Sequence, residues 1–571
     1  MVESPAFGAA VRQCVVNAVV PAAKVPEERS FAMRSLRVVA GIAAVSLVLA
    51  GCGGDDDDGA APGGGTGGEF SVYVCEPEHL VPQNTNETCG AEVLGALFTS
   101  LVDYDVGTNE VRIGAGTASS VESDDQRVWT IKLKEGWTFH NGEPANAAAY
   151  ARGWNAGAYG PNAYGNAYFF ENIAGYDDLQ VPTDAPAGTK PAATEMSGIE
   201  VVDEWTLRVT LKDAFSQFPV TLGYTAFYPL PEAYTGDPDA FEERPIGTGP
   251  FQMDGSWQHN QQIRVQRYDN YAGTAAKADA ITFRIYSNVN TGYNDLLGGN
   301  LDIMDSLPPE RLGDARAQFG DRLIERASSN FTYVGFPLYD ERFADVRVRR
   351  AISMAIDRQA IIDAIFNGAY TPAGSLVSPV VAGSRDNACG QWCTYRPEEA
   401  RQLLTEAGGW RGSLVLWFNS GSGHEKWMEA VSNQLRSNLG ISSISFKSLE
   451  FAEYLELLDQ EKVTGPFRLG WVMDYPSPQN YLQPIYSTTG SSNNFGYSNE
   501  QVDQLLARGN AAETVEAGIE LYQQAEDLVL ADLPNVPMWF GKVQGAHSNG
   551  VSNVAIDAFT RIRLAEVTVN Q

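Results

Sequence analysis

The sequence predicts a protein of the mixed α/β class with several domains. Stretches rich in β-branched and aromatic residues, typical of strands, alternate with stretches of helical periodicity along the body of the chain. The 571 residues far exceed what one hydrophobic core usually serves, since a domain takes about 150 residues. From residue 70 onward no stretch is long and apolar enough to span a membrane. We therefore expect a globular body of several packed units.

Residues 33–51 have the pattern of a bacterial lipoprotein signal peptide. Basic residues precede the uncharged stretch 38–49, whose length of about 12 residues falls short of the roughly 20 that a spanning helix needs. The stretch ends in Leu-Ala-Gly-Cys, where small residues fit a signal peptidase and Cys52 would become the lipidated N-terminus. This pattern predicts an extracytoplasmic protein anchored by lipid to the outer face of the bacterial cell membrane.

The segments on either side of this signal have no predicted fold. Met33 stands directly before the basic residues, so residues 1–32 are interpreted as an over-called start of the chain. Residues 52–69 are dominated by Gly and Asp and have little apolar surface to bury. Such a composition predicts a flexible tether between the membrane and the folded body.

The strongly acidic charge excludes one class of partner. The chain has 71 acidic and 40 basic residues, which gives a formal net charge of −31. Nucleic-acid binding requires a concentrated cationic face, so nucleic acid is not expected as a partner. We interpret the acidity as a soluble, self-repelling surface.

The body of the chain contains four cysteines that fall into two local pairs. Cys75 and Cys89 form the first pair, and Cys389 and Cys393 form the second. In an oxidising compartment, local pairs are more often disulfides than metal ligands, and the pair Cys389 and Cys393 lacks the two-residue spacing and the nearby histidine that zinc favours. We expect two structural disulfides.

Local patterns predict individual elements. Strands are predicted at 128–133, 206–211 and 263–268, a helix at 145–155, and a surface loop at about 174–196. Further helices are predicted from the cap Asp345 to Asn367, from Pro397 to before Gly408, and through Met428 up to Gly440.

Seven sequence motifs occur in an order that resembles a known family. They are Glu76-Pro77 with 94–105, then 133–142, 245–251, 298–302, 348–358, 470–476 and 537–540. Together they are similar to the extracytoplasmic solute-binding proteins of ABC importers, in the class of the oligopeptide- and dipeptide-binding proteins. The glycines and proline of 245–251 indicate a structural turn, and His140 beside Asn141-Gly142 is interpreted as a solvated or capping turn residue.

The resemblance implies a two-lobed fold of the periplasmic-binding-protein type with an extra small inserted domain, three domains in all. Two crossover segments between the lobes would act as a hinge. The expected boundaries are 70–110, 196–335 and 536–571 for a discontinuous lobe I, 111–195 for the small inserted domain, and 336–535 for lobe II.

The stretch Phe467–Asp474 is the predicted centre of the ligand site. Its composition suits a strand, with Gly470, Val472 and Asp474 on one side. A glycine in a strand often marks the close approach of another backbone, such as an extended peptide that adds as a strand. In similar proteins the aspartate of this motif pairs with the α-amino group of the bound peptide. Met473 and Ser477 depart from the commoner pattern, which has alanine and a second acidic residue there.

Further residues complete the predicted ligand site. Trp471 is expected either to wall the pocket or to fill the core, and Tyr475 follows the aspartate in the motif. Glu76 could face the cleft as in related proteins or lie in an exposed turn. Tyr168, with Phe169 and Phe170 after it, falls where the small domain would line the cleft.

The resulting hypothesis is a lipoprotein that captures short peptides between two lobes and delivers them to a membrane ABC permease. It would act as a monomer, with no cofactor and no metal, and would make no covalent change to its ligand. One alternative keeps the fold and the transport role but changes the cargo to a nickel complex, haem, a sugar or another solute. A more remote alternative is a secreted hydrolase that uses two carboxylates, for which no catalytic motif is found.

Overall fold

The computed structural model of the protein describes residues 67–182, 185–186, 188–420 and 423–570. The predicted signal peptide, the lipidation site Cys52 and almost all of the predicted tether lie outside these residues. Within them, no helix is both long enough and apolar enough to cross a membrane.

The described chain alternates strands with helices, which confirms the mixed α/β class. The α-helices are Thr88–Leu97, Ala147–Ala158, Phe218–Thr221, Glu232–Gly236, Pro238–Glu243, Val289–Leu297, Leu312–Phe319, Val346–Met354, Arg358–Phe366, Pro397–Glu406, His424–Leu439, Phe451–Asp459, Pro478–Tyr486, Glu500–Asn510 and Val515–Asp532. The strands are Glu69–Val74, Asp103–Tyr104, Val111–Arg112, Ala118–Glu122, Val128–Leu133, Ile199–Asp203, Thr206–Thr210, Phe251–Met253, Gln262–Arg267, Ala280–Ile285, Ile303–Met304, Leu323–Gly335, Thr371–Pro372, Leu414–Asn419, Ile444–Leu449, Phe467–Trp471, Asn535–His547, Val551–Ser552 and Thr568–Val569.

One large mixed sheet runs through both lobes. Its path begins in lobe II with the parallel pair Ile444–Leu449 and Leu414–Asn419, and then reaches Phe467–Trp471. It ends in lobe I, where Glu69–Val74 pairs in parallel with Ala280–Ile285. Each part of the sheet has its own buried core, around Phe70 and Phe283 in lobe I and around Tyr454 and Tyr481 in lobe II.

Two long antiparallel strands connect the lobes. Leu323–Gly335 and Asn535–His547 pair over most of their length, and their register shifts twice, between Thr332 and Tyr333 and, by a larger step, between Ala327 and Phe331. Between Ala327 and Phe331, three residues of one strand lie opposite the single residue Gly541 of the other. A Cβ atom at Gly541 would lie 2.7 Å from Ser328 Oγ, so the bulge depends on the missing side chain.

A second, smaller sheet forms the core of the inserted domain. Its four antiparallel strands follow the order Ala118–Glu122, Val128–Leu133, Thr206–Thr210, Ile199–Asp203. Helix Ala147–Ala158 contributes the fully buried Trp154 to this core. The predicted boundary at residue 195 cuts this sheet, because two of its strands and the buried Phe227 lie beyond it.

Two of the predicted helices in lobe II begin and end where the sequence indicates. Pro397 opens Pro397–Glu406, and Gly440 in the left-handed conformation ends His424–Leu439. The single helix predicted from Asp345 to Asn367 is wrong, because two helices, Val346–Met354 and Arg358–Phe366, occupy that stretch. Asp357 causes the break, since its side chain accepts from the backbone N–H of Ala360 and starts the second helix.

Buried arginines explain why the stretch 348–358 is structural. The guanidinium of Arg349 donates to the carbonyl oxygens of Phe343 and Leu533 at 2.6 and 3.1 Å, and also to that of Asp532. It thereby satisfies the carboxyl end of helix Val515–Asp532. Arg358 similarly donates to the carbonyl oxygen of Pro537 at 2.6 Å.

The turn 245–251 is structural, as predicted, but for a different reason. Gly247 and Gly249 do not have the left-handed backbone that would demand glycine. Instead, a Cβ at Gly247 would lie 1.9 Å from the carbonyl oxygen of Leu97, so close packing requires the glycine. His140 binds the same turn, since Nδ1 accepts from the N–H of Gly247 and Nε2 lies 3.2 Å from the Gly249 oxygen. His140 therefore caps this turn, which is one of the two roles predicted for it, and is not simply solvated.

Both predicted disulfides are present. Cys75 is bonded to Cys89, and Cys389 is bonded to Cys393. The first joins the end of strand Glu69–Val74 to helix Thr88–Leu97.

Candidate functional site

Asp474 lies just beyond the end of strand Phe467–Trp471, at the junction of lobe II and the small domain. The strand ends three residues earlier than the stretch predicted from sequence, which leaves Val472 and Asp474 outside the sheet. Gly470 faces a close backbone, as expected for a glycine in a strand. That backbone belongs to the protein itself, since a Cβ at Gly470 would lie 3.0 Å from the carbonyl oxygen of Phe331 in the neighbouring strand.

Hydrogen bonds on both oxygens hold the carboxylate of Asp474. Asn480 Nδ2 donates to Oδ2 at 2.9 Å, and the hydroxyl of Tyr168 donates to Oδ1 at 3.2 Å. Asn480 also accepts the backbone N–H of Asp474 at 2.9 Å through Oδ1. Each carboxylate oxygen has two lone pairs, so the group retains the capacity to accept further donors.

Burial controls the ionisation of this carboxyl group. It raises the pKa of Asp474 to about 6, while the hydrogen bonds from Asn480 and Tyr168 act in the opposite direction. A carboxylate that is costly to ionise gains most from a bound cation, because the cation offsets the charge that burial penalises. The site is therefore suited to a positively charged group.

A row of three stacked aromatic rings leads away from Asp474 along the small domain. It consists of Tyr168, Phe169 and Tyr224, with ring centroids 4.4 Å apart for the first pair and 4.3 Å apart for the second. The ring of Tyr168 is 44% exposed, although its hydroxyl binds Asp474. We call these three residues the aromatic row. They form a surface on which an extended ligand could lie.

Polar contacts link the small domain to lobe II around the site. Ser477 Oγ donates to Gln217 Oε1 at 2.9 Å, and both residues are buried. The backbone N–H of Ser216 donates to the carbonyl oxygen of Asn510 at 2.7 Å. Ser477, a departure from the commoner family pattern, thus joins the two parts of the molecule and also caps helix Pro478–Tyr486.

The other predicted residues near Asp474 have different positions. Trp471 is partly buried, and its indole N–H donates to Asn480 Oδ1 at 3.2 Å, so it supports the residue that holds Asp474. The Tyr475 hydroxyl donates to Gln479 Oε1 at 2.5 Å. Val472 is 53% exposed and therefore does not belong to the core.

Glu76 contacts other residues of lobe I. Its Oε1 lies 2.8 Å from His259 Nδ1, and its Oε2 accepts from the backbone N–H of Asn260 at 2.7 Å. His259 also approaches Glu243 at 3.1 Å. Of the predicted site residues, the structure thus brings together Asp474, Trp471 and Tyr168, the first two through Asn480, while Glu76 is held by its own partners.

Sequence reasoning placed Phe169 at the cleft beside Tyr168, but it missed Asn480 and Tyr224. Phe170 is fully buried in the core of the small domain and does not line the cleft. Asn480 had a local signal, because it lies in the first turn of a helix capped by Ser477 and only six residues after Asp474. Tyr224 had none, since its position beside Phe169 depends on the packing of the small domain.

The described residues offer little support for a metal centre. Among them, one group of three side chains lies close enough to hold a metal ion: Cys75, Glu87 and Cys89. Its two sulfur atoms are joined in a disulfide, however, and so are not free to bind a metal. All five histidines of the chain already contact a protein group. They are His79 with Glu242, His140 with Gly249, His259 with Glu76, His424 with Trp427, and His547 with Ser548.

Two surface grooves lie away from Asp474. One, of about 400 Å³, is lined by residues that include His140, Phe241 and Arg244 in lobe I. The other, of about 380 Å³, lies near the crossover strands and includes Arg326 and Val380. Asp474 lines neither groove. The candidate site is therefore identified by the chemistry of its side chains and not by the volume of a cavity.

Comparison with known proteins gives a match over most of the chain. The model of the bacterial extracellular solute-binding proteins, family 5 Middle, matches residues 112–493. Haem-binding protein A of Haemophilus influenzae is 26% identical over 473 residues, which cover 80% of this chain and 82% of that protein. The dipeptide-binding protein of Escherichia coli is 26% identical over 458 residues, which cover 75% of this chain and 81% of that protein.

A solved structure has a similar fold. The periplasmic murein tripeptide-binding protein MppA, in its unliganded open form, superposes with a TM-score of 0.76 at 21% identity. The superposition covers 89% of this chain and 99% of that one. Together with the mixed sheet described above, this similarity confirms the predicted two-lobed fold class.

Proposed function

Since the chain belongs to the bacterial extracellular solute-binding proteins of family 5, we propose that it captures short peptides with a free amino terminus and delivers them to an ABC permease. The peptide would bind between the lobes, with its α-ammonium group at Asp474. Its backbone would lie against the aromatic row.

The observation that carries this proposal is the buried carboxylate of Asp474 at the junction of two domains. A peptide ammonium that loses its water needs a charged, hydrogen-bonded partner. Asp474 is held in place by Asn480, which leaves it oriented before the ligand arrives. Tyr168 approaches from the opposite domain, so a ligand at this position would touch both sides.

Ligand binding would favour the closed arrangement of the lobes. Only a closed form lets one ligand contact Asp474 in lobe II and the aromatic row of the small domain together. A ligand shifts such an equilibrium by the difference between its affinities for the two forms. The bulge opposite Gly541 is the proposed hinge, because pairing between the crossover strands is interrupted there.

We further propose that the protein acts as a monomeric lipoprotein. The signal at 33–51 and the lipid on Cys52 would place it at the outer face of the cell membrane, where the permease is also exposed. Binding would involve no cofactor and no covalent change to the ligand. Within the described residues, the cluster at the site contains a single carboxylate and no histidine, which gives little support to hydrolysis.

Calorimetry with di- to pentapeptides tests the proposal, with Asp474→Asn as the variant and Asp363→Asn, at an exposed helix position, as the control. We expect the site variant to lose about 2–5 kcal/mol of binding free energy, because a buried ammonium would lack its charge partner. The control should bind like the wild type. Equal affinity of the site variant, or a wild type that binds no peptide, contradicts the proposal.

The relative named haem-binding protein A favours one alternative, the same transport role with haem or another non-peptide solute as the cargo. Native mass spectrometry of the purified protein distinguishes the two. A peptide mass supports the proposal, and a haem mass supports the alternative.

A further inference from the structure

Arg561 lies at the far end of the aromatic row. Its guanidinium carbon is 5.9 Å from the ring centroid of Tyr224 and 5.2 Å from that of Phe559. Tyr224 in turn stacks on Phe169 at 4.3 Å. The row therefore has a carboxylate at one end, Asp474, and a guanidinium at the other.

The guanidinium of Arg561 lacks a polar partner among the described residues, where its side chain makes neither a hydrogen bond nor an ion pair. The nearby carboxylate of Asp557 is turned to the backbone, because its Oδ1 accepts the N–H groups of Phe559 and Arg561 at 2.9 and 3.0 Å. By contrast, Arg563, two residues along, is paired with Asp103 at 2.8 Å. An arginine has five N–H donors, and a half-buried one that uses none of them is suited to an incoming anion.

A strained turn holds Arg561 in this position. Thr560, directly before it, has a φ of 67°, which is rare for a β-branched residue. The turn is closed by hydrogen bonds between the backbones of Asp557 and Arg561 at 2.9 Å and of Thr560 and Asp557 at 3.1 Å. Backbone strain of this kind persists only where the surrounding structure enforces it, and it is common at ligand-binding sites.

Both charged groups act on the same ring. Burial raises the pKa of the Tyr224 hydroxyl, the charge of Asp474 raises it further, and the charge of Arg561 lowers it. The opposite charges at the two ends of the row thus lie within electrostatic range of one side chain. The stacking steps of 4.4 and 4.3 Å are each comparable to one residue of an extended chain, about 3.3–3.6 Å.

We propose that Arg561 is a second ligand anchor, which binds the free carboxylate of a short zwitterionic ligand whose ammonium binds Asp474. This inference rests on the proposed peptide function and extends it to the chemical class of the ligand. The bidentate geometry of a guanidinium matches a carboxylate. The protein would therefore select short peptides with both termini free over longer or blocked ones.

The test compares a tri- or tetrapeptide with the same peptide as its C-terminal amide, by calorimetry. The wild type should bind the acid about 10- to 100-fold more tightly than the amide. Arg561→Gln should lose that preference by weakening binding of the acid alone, and Arg561→Lys should keep part of it, because a lysine keeps the charge but not the planar fork. Arg396→Gln, which removes an exposed arginine paired with Glu399, should leave both affinities unchanged.

The possible outcomes separate this inference from the proposed function. Equal binding of acid and amide by the wild type overturns the role of Arg561 but leaves peptide binding intact. Binding of neither ligand overturns the proposed function itself. An Arg561→Gln protein that melts like the wild type and keeps the preference for the acid also overturns the inference. If Arg561→Gln melts at a lower temperature than the wild type, the Arg561→Lys variant is used to test the inference instead. An Arg561→Lys protein that prefers the acid over the amide as strongly as the wild type does contradicts the bidentate role.

Discussion

At the scale of single residues, the proposed role of Asp474 makes ligand binding depend on pH. Burial raises its pKa to about 6, so below that pH the group is mostly neutral and cannot pair with an ammonium. We predict that peptide affinity falls as the pH drops from 7 to 5, whereas the weak affinity of Asp474→Asn stays flat. Isothermal titration at pH 7, 6 and 5 measures both. A wild-type affinity independent of pH contradicts the ionic role.

The ionised form of Asp474 also lowers the free energy of unfolding. Its pKa is higher in the folded state than the ordinary value of 3.8, so the folded state binds more protons, and the charged form destabilises it above about pH 6. We predict that Asp474→Asn raises the free energy of unfolding at pH 7 by about 1–2 kcal/mol. The gain should shrink as the pH falls from about 6 to about 4. Urea unfolding without ligand, at pH 7 and pH 4.5, checks both the sign and the trend.

The sequence predicted residues of the candidate site only where a local motif indicated them. Asp474 and Tyr168 were both predicted to line the cleft, and they meet through one hydrogen bond. Arg561 and Tyr224 had no such signal, because they are 337 positions apart in the chain and are brought together only by folding. At Gly247 the residue type was explained by backbone angle, while the actual cause is a contact with Leu97, which no sequence pattern displays.

At the scale of elements, helix Val346–Met354 carries an arginine that anchors another helix. The guanidinium of Arg349 binds carbonyl oxygens at the carboxyl end of helix Val515–Asp532, and the residue is only 6% exposed. We predict that Arg349→Met lowers the free energy of unfolding by about 3–5 kcal/mol, because it leaves buried carbonyl oxygens unpaired. Arg347→Met, on the exposed side of the same helix, should cost under about 1 kcal/mol. Chemical denaturation of both variants checks the contrast, and equal losses contradict it.

The turn held by His140 predicts an acid sensitivity. Burial lowers the pKa of His140 to about 4, below the ordinary value of 6.5, so the unfolded chain binds a proton more readily than the folded one. The free energy of unfolding should therefore fall by about 2–3 kcal/mol through this residue as the pH drops from about 6.5 to about 4. His424 acts with the same sign, since its pKa is also lowered to about 4. Urea unfolding of the wild type and of His140→Gln at pH 7 and pH 4.5 isolates the contribution of His140. If both proteins lose the same free energy of unfolding between these pH values, the role of His140 is contradicted.

The boundaries of the helices depend on two local signals, the apolar periodicity and the capping residues. The apolar spacing around Ile352 predicted one helix up to Asn367, but the N-cap at Asp357 begins a new helix inside that stretch. Pattern reasoning detected the caps at Asp345 and Gly440, where periodicity and cap agree. It failed where they disagree, because a side-chain cap can redirect the backbone within a continuous apolar stripe.

At the scale of the whole molecule, the lipid anchor is the property that sequence alone predicts. Cys52 lies outside the described residues, so its role rests on the signal at 33–51. We predict that wild-type protein expressed in bacteria partitions with the membrane fraction and incorporates labelled palmitate. Cys52→Ser should lose the label. Cys14→Ser, within the predicted extension 1–32, should behave like the wild type, and a label retained by Cys52→Ser contradicts the anchor.

The fold class was predictable because alternating strand and helix patterns and seven ordered motifs extend along the chain. The division into domains was harder to predict, because the small sheet takes its strands from both sides of the loop at about 174–196. Strands Thr206–Thr210 and Val128–Leu133 pair although they are far apart in sequence. A boundary placed at a composition change cannot detect such pairing.

The interrupted pairing between Leu323–Gly335 and Asn535–His547 limits how the molecule can move. Both connections between the lobes are neighbouring strands bonded to each other on either side of the interruption. If the bulge near Gly541 is the hinge, as proposed, the two halves would rotate about a line near it rather than slide past each other. A hinge of this kind would bring the two halves to the same closed arrangement around ligands of different length.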